Sequence, residues 1–324
     1  MKAKRKGISY AKYGYLFVIP FVVVYLIFSL YPTLYTALLG FTDSMGLGNI
    51  RWDFLKDDPF KNFSAVFSNK TFMTSIYNTV TIWLMNFIPQ LTLSLILTAW
   101  FTSPRCKIRG QGLFKVLFYM PNIITAATVA ILFNALFGYP VGPVNDMIKA
   151  LGGETFDFAK DKEWSRLTVA FIQFWMWYGN STIVFISGVL GINPEIFEAA
   201  EIDGANGTQT FFRITLPNIK TIMLYSLITS LIGGLNMYDI PKVMRNGGPD
   251  NSTITASIFI YNQGFSGRYN YALAAAASMV IFVVVAICSI TIFYLMRDKD
   301  EIAQRKAEKA ALKAWKKKNK EAAK

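Results

Sequence analysis

The sequence predicts an all-α membrane protein with six transmembrane helices and both termini in the cytoplasm. Composition is the first observation, because 53% of the 324 residues are hydrophobic and only 16% are charged, with a mean hydropathy of +0.35. Soluble globular chains carry about 25% charged residues, so this chain is expected to fold mostly in lipid. The other two observations are six long apolar stretches and a strongly uneven distribution of lysine and arginine.

Six apolar stretches are long enough to cross a bilayer, which requires about 20 residues per helix. The first follows a basic segment and could alternatively be a signal peptide, but it is long and has no evident small-residue cleavage site. Prolines within or near the stretches, such as Pro20, Pro89 and Pro121, are expected to bend the helices. No pair of broken helices is evident. The predicted spans are 15–39, 76–101, 113–137, 167–190, 221–240 and 271–296.

The distribution of basic residues predicts the orientation, because lysine and arginine favour cytoplasmic connections. Residues 1–14, the connections near 102–115 and 191–220, and the tail 297–324 together carry 22 basic and 9 acidic residues. The other three connections carry 11 of each, so the entire net charge of +13 lies on one face. That face is predicted to be cytoplasmic, which divides the chain into a basic N-terminus (1–14), a transmembrane domain (15–296) and a basic tail (297–324).

The tail is rich in alanine, lysine and glutamate from Glu301 onward, which predicts a helix over at least part of its length. Trp315 lies near its basic end. Two interpretations remain open at this point: a solvated extension of the last span, or a segment that contacts anionic lipid headgroups.

Several function classes are excluded by what the sequence lacks. The chain has no histidine, and Cys106 and Cys288 have no metal-ligand spacing, so neither a metal site nor a cofactor is predicted. The apolar cores hold essentially no ionisable residues, which argues against an ion-coupled transporter. No catalytic, nucleic-acid-binding or Walker A motif occurs. The chain is therefore not predicted to be an enzyme, and any ATP that drives it must be hydrolysed by another subunit.

One predicted cytoplasmic connection, residues 193–217, has features of a docking segment. Asn193 is a plausible N-cap with Pro194 at the first helical position, and Asp203-Gly204 is a helix stop signal. These signals predict a short helix, a tight turn and a second helix that begins near Thr208. The connection carries four acidic and two basic residues, against the positive trend of the same face. It could dock into a groove on a partner or simply join two spans.

The same connection resembles the EAA loop of binding-protein-dependent ABC importer permeases. The resemblance rests on Glu198-Ala199-Ala200, on Gly204 and, after nine intervening residues, on Ile214-x-Leu216-Pro217. The extended pattern Glu-Ala-Ala-x-x-Asp-Gly-Ala is matched at 198–205, and Phe211 occupies the usual aromatic position. Lys220 stands where many relatives have a second proline, which is a departure at the start of the fifth span.

The resemblance extends over about 15–296 and is closest to the carbohydrate-uptake branch, similar to maltose-type and multiple-sugar-type permeases. It implies a type I ABC importer permease-like bundle. The supporting motifs are Tyr31-Pro32, Phe41-Thr42-Asp43, Asn78-Thr79, the run 118–121, Gly247-Gly248-Pro249 and the run 261–277.

In such permeases the EAA helix seats in a cleft of a cytoplasmic ATPase dimer, so ATP-driven closure becomes movement of the membrane helices. The resemblance therefore implies a coupling element in this chain, with ATP and magnesium bound by the partner ATPase. Its members are Glu198, Ala199, Ala200, Asp203, Gly204, Ala205, Ile214, Leu216 and Pro217.

A sugar path needs aromatic faces and groups that hydrogen-bond hydroxyls, and the helices on either side of the coupling loop offer them. Small and polar residues recur there at helical spacing, and in maltose-type permeases these helices line the substrate cavity. The same residues could alternatively serve only to pack the helices together. The predicted path consists of Gln173, Trp177, Asn180, Ser230, Asn236 and Tyr238.

The sequence thus predicts a permease subunit of an ATP-driven sugar importer in a bacterial cytoplasmic membrane, with an oligosaccharide as the expected substrate. The expected partners are a second permease, an ABC ATPase dimer, membrane lipid and an extracytoplasmic solute-binding protein that docks on external loops 42–71, 138–166 or 241–270. Nucleic acid is not an expected partner. The alternatives are an importer of a non-sugar solute and a non-transporting scaffold or sensor that recruits cytoplasmic partners.

Overall fold

The computed structural model describes residues 11–46, 53–103, 109–267, 269–296, 307–312 and 314–315. The described residues are helical apart from turns and one isolated β-bridge between Thr42 and Phe54. The helices are Ala11–Tyr25, Tyr31–Leu39, Lys61–Ser68, Lys70–Thr102, Gln111–Ile123, Ala126–Leu136, Pro143–Ala150, Lys162–Leu190, Pro194–Ile202, Gly207–Thr210, Leu216–Asn218, Lys220–Leu235, Asp239–Arg245, Ala256–Phe265 and Tyr271–Met296. Two π-helical turns, Leu26–Leu30 and Phe211–Thr215, continue the helices that precede them.

Among the described residues, five helical segments are long and apolar enough to cross a membrane, and a bent pair of helices gives a sixth span if the pair is counted as one. The first, second and fourth spans are Lys12–Leu39, Lys70–Thr102 and Lys162–Leu190, and the fifth and sixth are Lys220–Arg245 and Tyr271–Met296. The all-helical membrane fold is confirmed. The second and fourth spans begin five or six residues before their predicted starts, because polar first turns extend the helices beyond the apolar stretch.

The third span is not the single helix predicted for 113–137. It consists of Gln111–Ile123 and Ala126–Leu136, which meet at an angle of 96°. Pro121 removes one backbone donor near the end of the first helix, and Ile124 is extended (φ −76°, ψ 140°). Thr125 then caps the second helix, since its side chain accepts a hydrogen bond from the backbone N–H of Thr128. A bend near Pro121 was expected, but a span divided into two separate helices was not evident from the sequence.

The fifth span is also interrupted, since residues 236–238 separate the helices Lys220–Leu235 and Asp239–Arg245. An interrupted helix leaves backbone carbonyls to be satisfied by other groups. The hydroxyl of Thr255 donates to the carbonyl of Met237 at 2.8 Å, which satisfies one of them. The predicted end of this span at residue 240 was early by five residues.

The chain forms two compact units, and each has its own packing. The first comprises the chain to Ile76 together with Ala256–Val283. There, the Asn62 side-chain amide donates to the carbonyls of Gly40 (3.0 Å) and Thr42 (2.7 Å), which fastens the end of the first span. The rings of Phe72 and Phe259 pack edge to face with centroids 5.3 Å apart.

The second unit comprises Tyr77–Thr255 and Val284–Lys324. Its hydrophobic core joins the second, third, fourth and fifth spans, so their inner faces are fixed relative to one another. The buried members of this core include Ile82, Val129, Phe133, Val169, Ile172, Met176, Met237 and Ile240.

Arg166, near the start of the fourth span, connects three segments of the second unit. Its guanidinium donates to the carbonyl of Ser252 (3.0 Å), to Oδ1 of Asn78 (3.0 Å) and to Glu163 (2.6 Å). The Asn78 side-chain amide in turn donates to the carbonyls of Asn251 (2.6 Å) and Ile254 (3.1 Å). These bonds give Asn78 of the Asn78-Thr79 motif a structural role, because they fasten the loop 246–255 to the second and fourth spans.

Replacing Arg166 with leucine is expected to destabilise the protein by about 2 kcal/mol or more, because hydrogen bonds to charged groups contribute about 1.5–3 kcal/mol each. The Arg166 side chain is only 13% exposed, so water cannot replace its partners. Thermal unfolding in detergent measures the effect. Lys162→Leu is the control, because its ion pair with Asp250 is largely exposed and should contribute little. Equal melting temperatures for the two variants would contradict the role assigned to Arg166.

Candidate functional site

A cavity of about 480 Å³ lies between the second, fourth and fifth spans of the second unit. All six residues predicted to form the substrate path line it, although they come from two spans and from the interruption in the fifth span. Gln173, Trp177 and Asn180 lie on the fourth span, Ser230 lies on the fifth, and Asn236 and Tyr238 lie in the interruption. The structure thus brings together residues up to 65 positions apart in the sequence.

The second span contributes a wall that the sequence analysis missed. Trp83, Asn86 and Gln90 line the cavity at spacings of three and four residues, so they share one helix face. Gln90 donates to the hydroxyl of Ser181 at 2.7 Å, and the indole N–H of Trp83 donates to the hydroxyl of Ser230 at 3.2 Å. The available signal was the recurrence of amide and indole groups at helical spacing within an otherwise apolar span.

The lining is polar but nearly uncharged. Among the described residues, Asp239 is the one ionisable acid of the cavity, and no lysine or arginine lines it. Aromatic rings come from Trp83, Trp177, Tyr225 and Tyr238. Aromatic surface combined with amide and hydroxyl groups suits a neutral ligand that has both apolar faces and hydroxyl edges.

The interruption in the fifth span places Asn236 and Tyr238 at the cavity. Neither residue follows the helical spacing of Ser226 and Ser230, because the backbone leaves the helix after Leu235. The Asn236 side-chain amide donates to the carbonyl of Ile232 at 2.8 Å, which holds this side chain against the end of the helix. The interruption therefore adds two polar side chains to one end of the cavity.

The second candidate site is the segment 193–217, which contains the helix Pro194–Ile202. The Asn193 side chain caps this helix by accepting the N–H of Glu195 at 3.1 Å. Gly204 ends it in the left-handed region at φ +74°, and the N–H of Ala205 donates to the carbonyl of Ala200 at 2.9 Å. Asn206 and Gln209 then form a reciprocal capping box at the start of the next helix. The predicted order of helix, turn and helix is present.

The helix Pro194–Ile202 has an inner face and an outer face. Ala200 is buried, and Phe197 packs against a cluster that contains Phe185 and Val189 of the fourth span and Ile219 at the start of the fifth. On the outer face, Glu198, Ala199, Asp203 and Gly204 are all exposed. The motif is therefore divided between residues that hold the helix to the spans and residues that remain available to another molecule.

The remaining motif residues follow a change of helical register. Residues Phe211–Thr215 are π-helical and are followed by the short helix Leu216–Asn218. Pro217 has no backbone N–H and cannot donate to the carbonyl four residues earlier, which explains a change of register at this point. Ile214 and Leu216 are half-buried, whereas Pro217 is exposed.

Helical spans around a polar cavity, with a capped helix held outside them against two spans, are features expected of a transport permease. The chain matches the family described as binding-protein-dependent transport system inner membrane component over residues 62–299, and it belongs to this family. It is therefore a membrane-spanning permease subunit of an ABC importer, and ATP hydrolysis in such importers belongs to a partner chain. Of the described residues, no group of three or more acidic or cysteine side chains could hold a metal ion.

Similar proteins place the chain in the carbohydrate-uptake branch. It is 31% identical to the lactose transport system permease protein LacF of Rhizobium radiobacter over 290 residues, which cover 88% of this chain and 94% of that protein. It is 29% identical to the arabinooligosaccharides transport system permease protein AraP of Bacillus subtilis over 279 residues, which cover 85% and 86%. The resemblance to sugar permeases is confirmed.

The fold also agrees with a solved structure. A chain of a bacterial ABC transporter involved in the import of the acidic polysaccharide alginate superposes with a TM-score of 0.75 at 23% sequence identity. The match covers 87% of this chain and 94% of that one. At this sequence identity the likeness establishes the fold alone, and the ligand of this chain is inferred from its own cavity.

Proposed function

We propose that the chain is the permease subunit of an ATP-driven importer for neutral oligosaccharides, and that it forms half of the translocation path. The observation that carries the proposal is the cavity, where all six predicted path residues meet around about 480 Å³ without a basic side chain. The names of LacF and AraP, which refer to lactose and arabinooligosaccharides, support a carbohydrate substrate. A uronate or phosphate would lack a cationic partner here and would meet Asp239.

The proposed mechanism couples the cavity to ATP hydrolysis through the helix Pro194–Ile202. The exposed residues Glu198 and Ala199 of this helix, with Asp203 and Gly204 directly after it, form the surface for a cytoplasmic ATPase that binds ATP and magnesium. Ala199 permits a close approach of that partner, and Glu198 supplies an ionic contact. Phe197 transmits the movement, because it packs on the fourth and fifth spans that carry the path residues. This role requires the segment and both termini to lie in the cytoplasm.

The proposed complex also contains a second permease and a solute-binding protein. Every described side chain from Lys12 to Leu34 of the first span is exposed, including many large apolar ones. Such a surface is covered by lipid and by the helices of another membrane subunit. A heterodimer is the expected form of the pore, and the solute-binding protein would dock on the opposite side of the membrane from the ATPase.

Native co-purification tests the complex. A tagged form of the chain would be purified from its own membranes in mild detergent, and its stoichiometric partners would be identified by mass spectrometry. Recovery of an ABC ATPase and a second six-span permease is the expected result. Recovery of the chain alone, or with partners that hydrolyse no ATP, would contradict the importer and favour a scaffold.

Replacing Asn180 with leucine is expected to reduce sugar uptake by about tenfold, because a hydroxyl group of the bound sugar then loses its hydrogen-bond partner in the cavity. Uptake of labelled lactose and maltotriose into proteoliposomes that contain the whole complex measures the effect. The matched control is Thr291→Val in the sixth span, whose hydroxyl bonds only to the carbonyl of Ile287 at 2.8 Å. If both variants transport at the rate of the unmodified complex, the cavity is not the path.

A further inference from the structure

Trp83 is an aromatic residue that lines the cavity. It lies outside the coupling loop and outside the fourth and fifth spans, which hold the predicted path residues. It lies on the second span, is half-buried, and lines the cavity. The ring of the buried Phe87 stacks on the Trp83 ring, with centroids 5.5 Å apart and planes inclined by 15°. Phe87 therefore supports one face of the indole, while the ring as a whole remains half-buried and lines the cavity.

Two residues one helical turn apart on the fifth span fix the orientation of this indole. The Trp83 N–H donates to the hydroxyl of Ser230 at 3.2 Å, so the polar group of the ring is satisfied and the ring cannot rotate freely. At Gly234, a β-carbon would come closer than 3.0 Å to three atoms of the indole ring. Only glycine leaves room for the ring in this position. The fifth span thus holds Trp83 by a hydrogen bond and by the absence of a side chain.

This arrangement exceeds what helix packing requires. An indole that only filled the core would be fully buried, and any acceptor could satisfy its N–H. Trp83 is instead partly exposed, and its N–H donates to a serine that also lines the cavity. The amides of Asn86 and Gln90 follow it along the same wall, and Asn180 lies in the same lining. An aromatic surface beside amide groups matches a pyranose ring, which has an apolar C–H face and a rim of hydroxyls.

We propose that Trp83 is a stacking platform for the pyranose rings of a neutral sugar, and that Ser230 and Gly234 are its positioning residues. The proposal rests on the proposed function and adds the second span to the sugar path. Stacking on the indole favours a substrate with a pyranose ring, while the amides of Asn86, Gln90 and Asn180 bind the hydroxyl groups of that ring. Because a stacked contact is tolerant of the positions of hydroxyl groups, the platform permits movement of successive rings along the path.

The test compares three substitutions of Trp83 in the complete complex with its ATPase, second permease and binding protein in proteoliposomes. Uptake of labelled lactose and maltotriose is measured at saturating binding protein, together with the melting temperature of each complex. Trp83→Met removes the aromatic ring and is expected to reduce uptake by about three- to tenfold. Trp83→Phe keeps a stacking surface but loses the hydrogen bond to Ser230, so it is expected to retain more uptake than Trp83→Met and less than the unmodified complex. Trp83→Leu should behave as Trp83→Met does.

Gly234→Ala tests the positioning role without changing the platform itself. The added methyl group displaces the indole, so uptake should fall as in Trp83→Met. Combining Gly234→Ala with Trp83→Phe should restore uptake to that of Trp83→Phe, because the smaller ring leaves room for the methyl group. Gly112→Ala is the control, since no atom lies within 4 Å of a β-carbon at that position.

The outcomes separate this proposal from the proposed function. If Trp83→Met transports as the unmodified complex does while Asn180→Leu is impaired, the platform is wrong and the sugar path stands. If Trp83→Phe is as impaired as Trp83→Met at equal melting temperature, the ring does not act by stacking and the platform is again wrong. If the unmodified complex takes up neither these two sugars nor any other member of a panel of neutral oligosaccharides, the proposed function fails and the platform fails with it.

Discussion

Replacing Gly204 with aspartate is expected to abolish sugar uptake while the protein still folds and reaches the membrane. No atom lies within 4 Å of a β-carbon built at Gly204, so an added side chain meets nothing within the chain itself. Gly204 is exposed, and aspartate tolerates its left-handed conformation (φ +74°) better than most residues do. A loss of uptake that exceeds the effect of backbone strain at a left-handed position is therefore expected to arise where the segment meets another subunit, which is the proposed ATPase.

A bulky residue at Ala199 should have the same effect for the same reason, because Ala199 is exposed on the outer face of the helix Pro194–Ile202. Uptake, ATP hydrolysis and the amount of co-purified ATPase are measured together. Gly152→Asp is the matched control, since Gly152 is also a left-handed glycine (φ +83°) with no atom within 4 Å of a β-carbon. Normal uptake by Gly204→Asp and Ala199→Trp would refute the coupling role.

Replacing Gly179 with alanine is expected to have the largest effect on folding. The fourth span approaches the first helix of the third span so closely here that a β-carbon at Gly179 would collide with the backbone of Phe118 and Tyr119. A backbone segment cannot rotate away as a flexible side chain can, so the two helices must separate. Overpacking of a core costs about 1–3 kcal/mol, and a collision with backbone should lie at the upper end.

The melting temperature and the yield of monodisperse protein in detergent measure this effect. Gly14→Ala is the control, because Gly14 is also a glycine of a span but has no atom within 4 Å of a β-carbon. It should melt at the temperature of the unmodified protein. A Gly179→Ala protein of unchanged stability would show that the two helices do not approach each other in this way.

The sequence predicted most of the fold because the physical signals were strong and local. Apolar length identified the spans, and capping residues such as Asn193 and Gly204 identified the ends of the helix Pro194–Ile202. The 96° bend in the third span was missed. Pro121 indicates a bend, but the size of the bend depends on the extended conformation of Ile124 and on the cap at Thr125. Both are set by packing in the folded protein and not by the local sequence.

The candidate cavity was predicted in part for a similar reason. Polar residues of the fourth and fifth spans stood out because those helices flank the coupling loop. Trp83 was missed because it is one aromatic residue among many, and its importance depends on Gly234 and Ser230, which are about 150 positions away in the sequence. A residue whose role is set by the shape of a distant helix has no local signal.

The fourth span is an unbroken helix of 29 residues, Lys162–Leu190, whereas the third and fifth spans are interrupted. At 1.5 Å per residue it is about 43 Å long. It carries Arg166 near one end, Trp177 and Asn180 near its middle, and the contact with Phe197 near the other end. This unbroken helix contacts Phe197 at one end and the loop 246–255 through Arg166 at the other. Under the proposed coupling role, a displacement at Phe197 is therefore expected to move the cavity wall and this loop together.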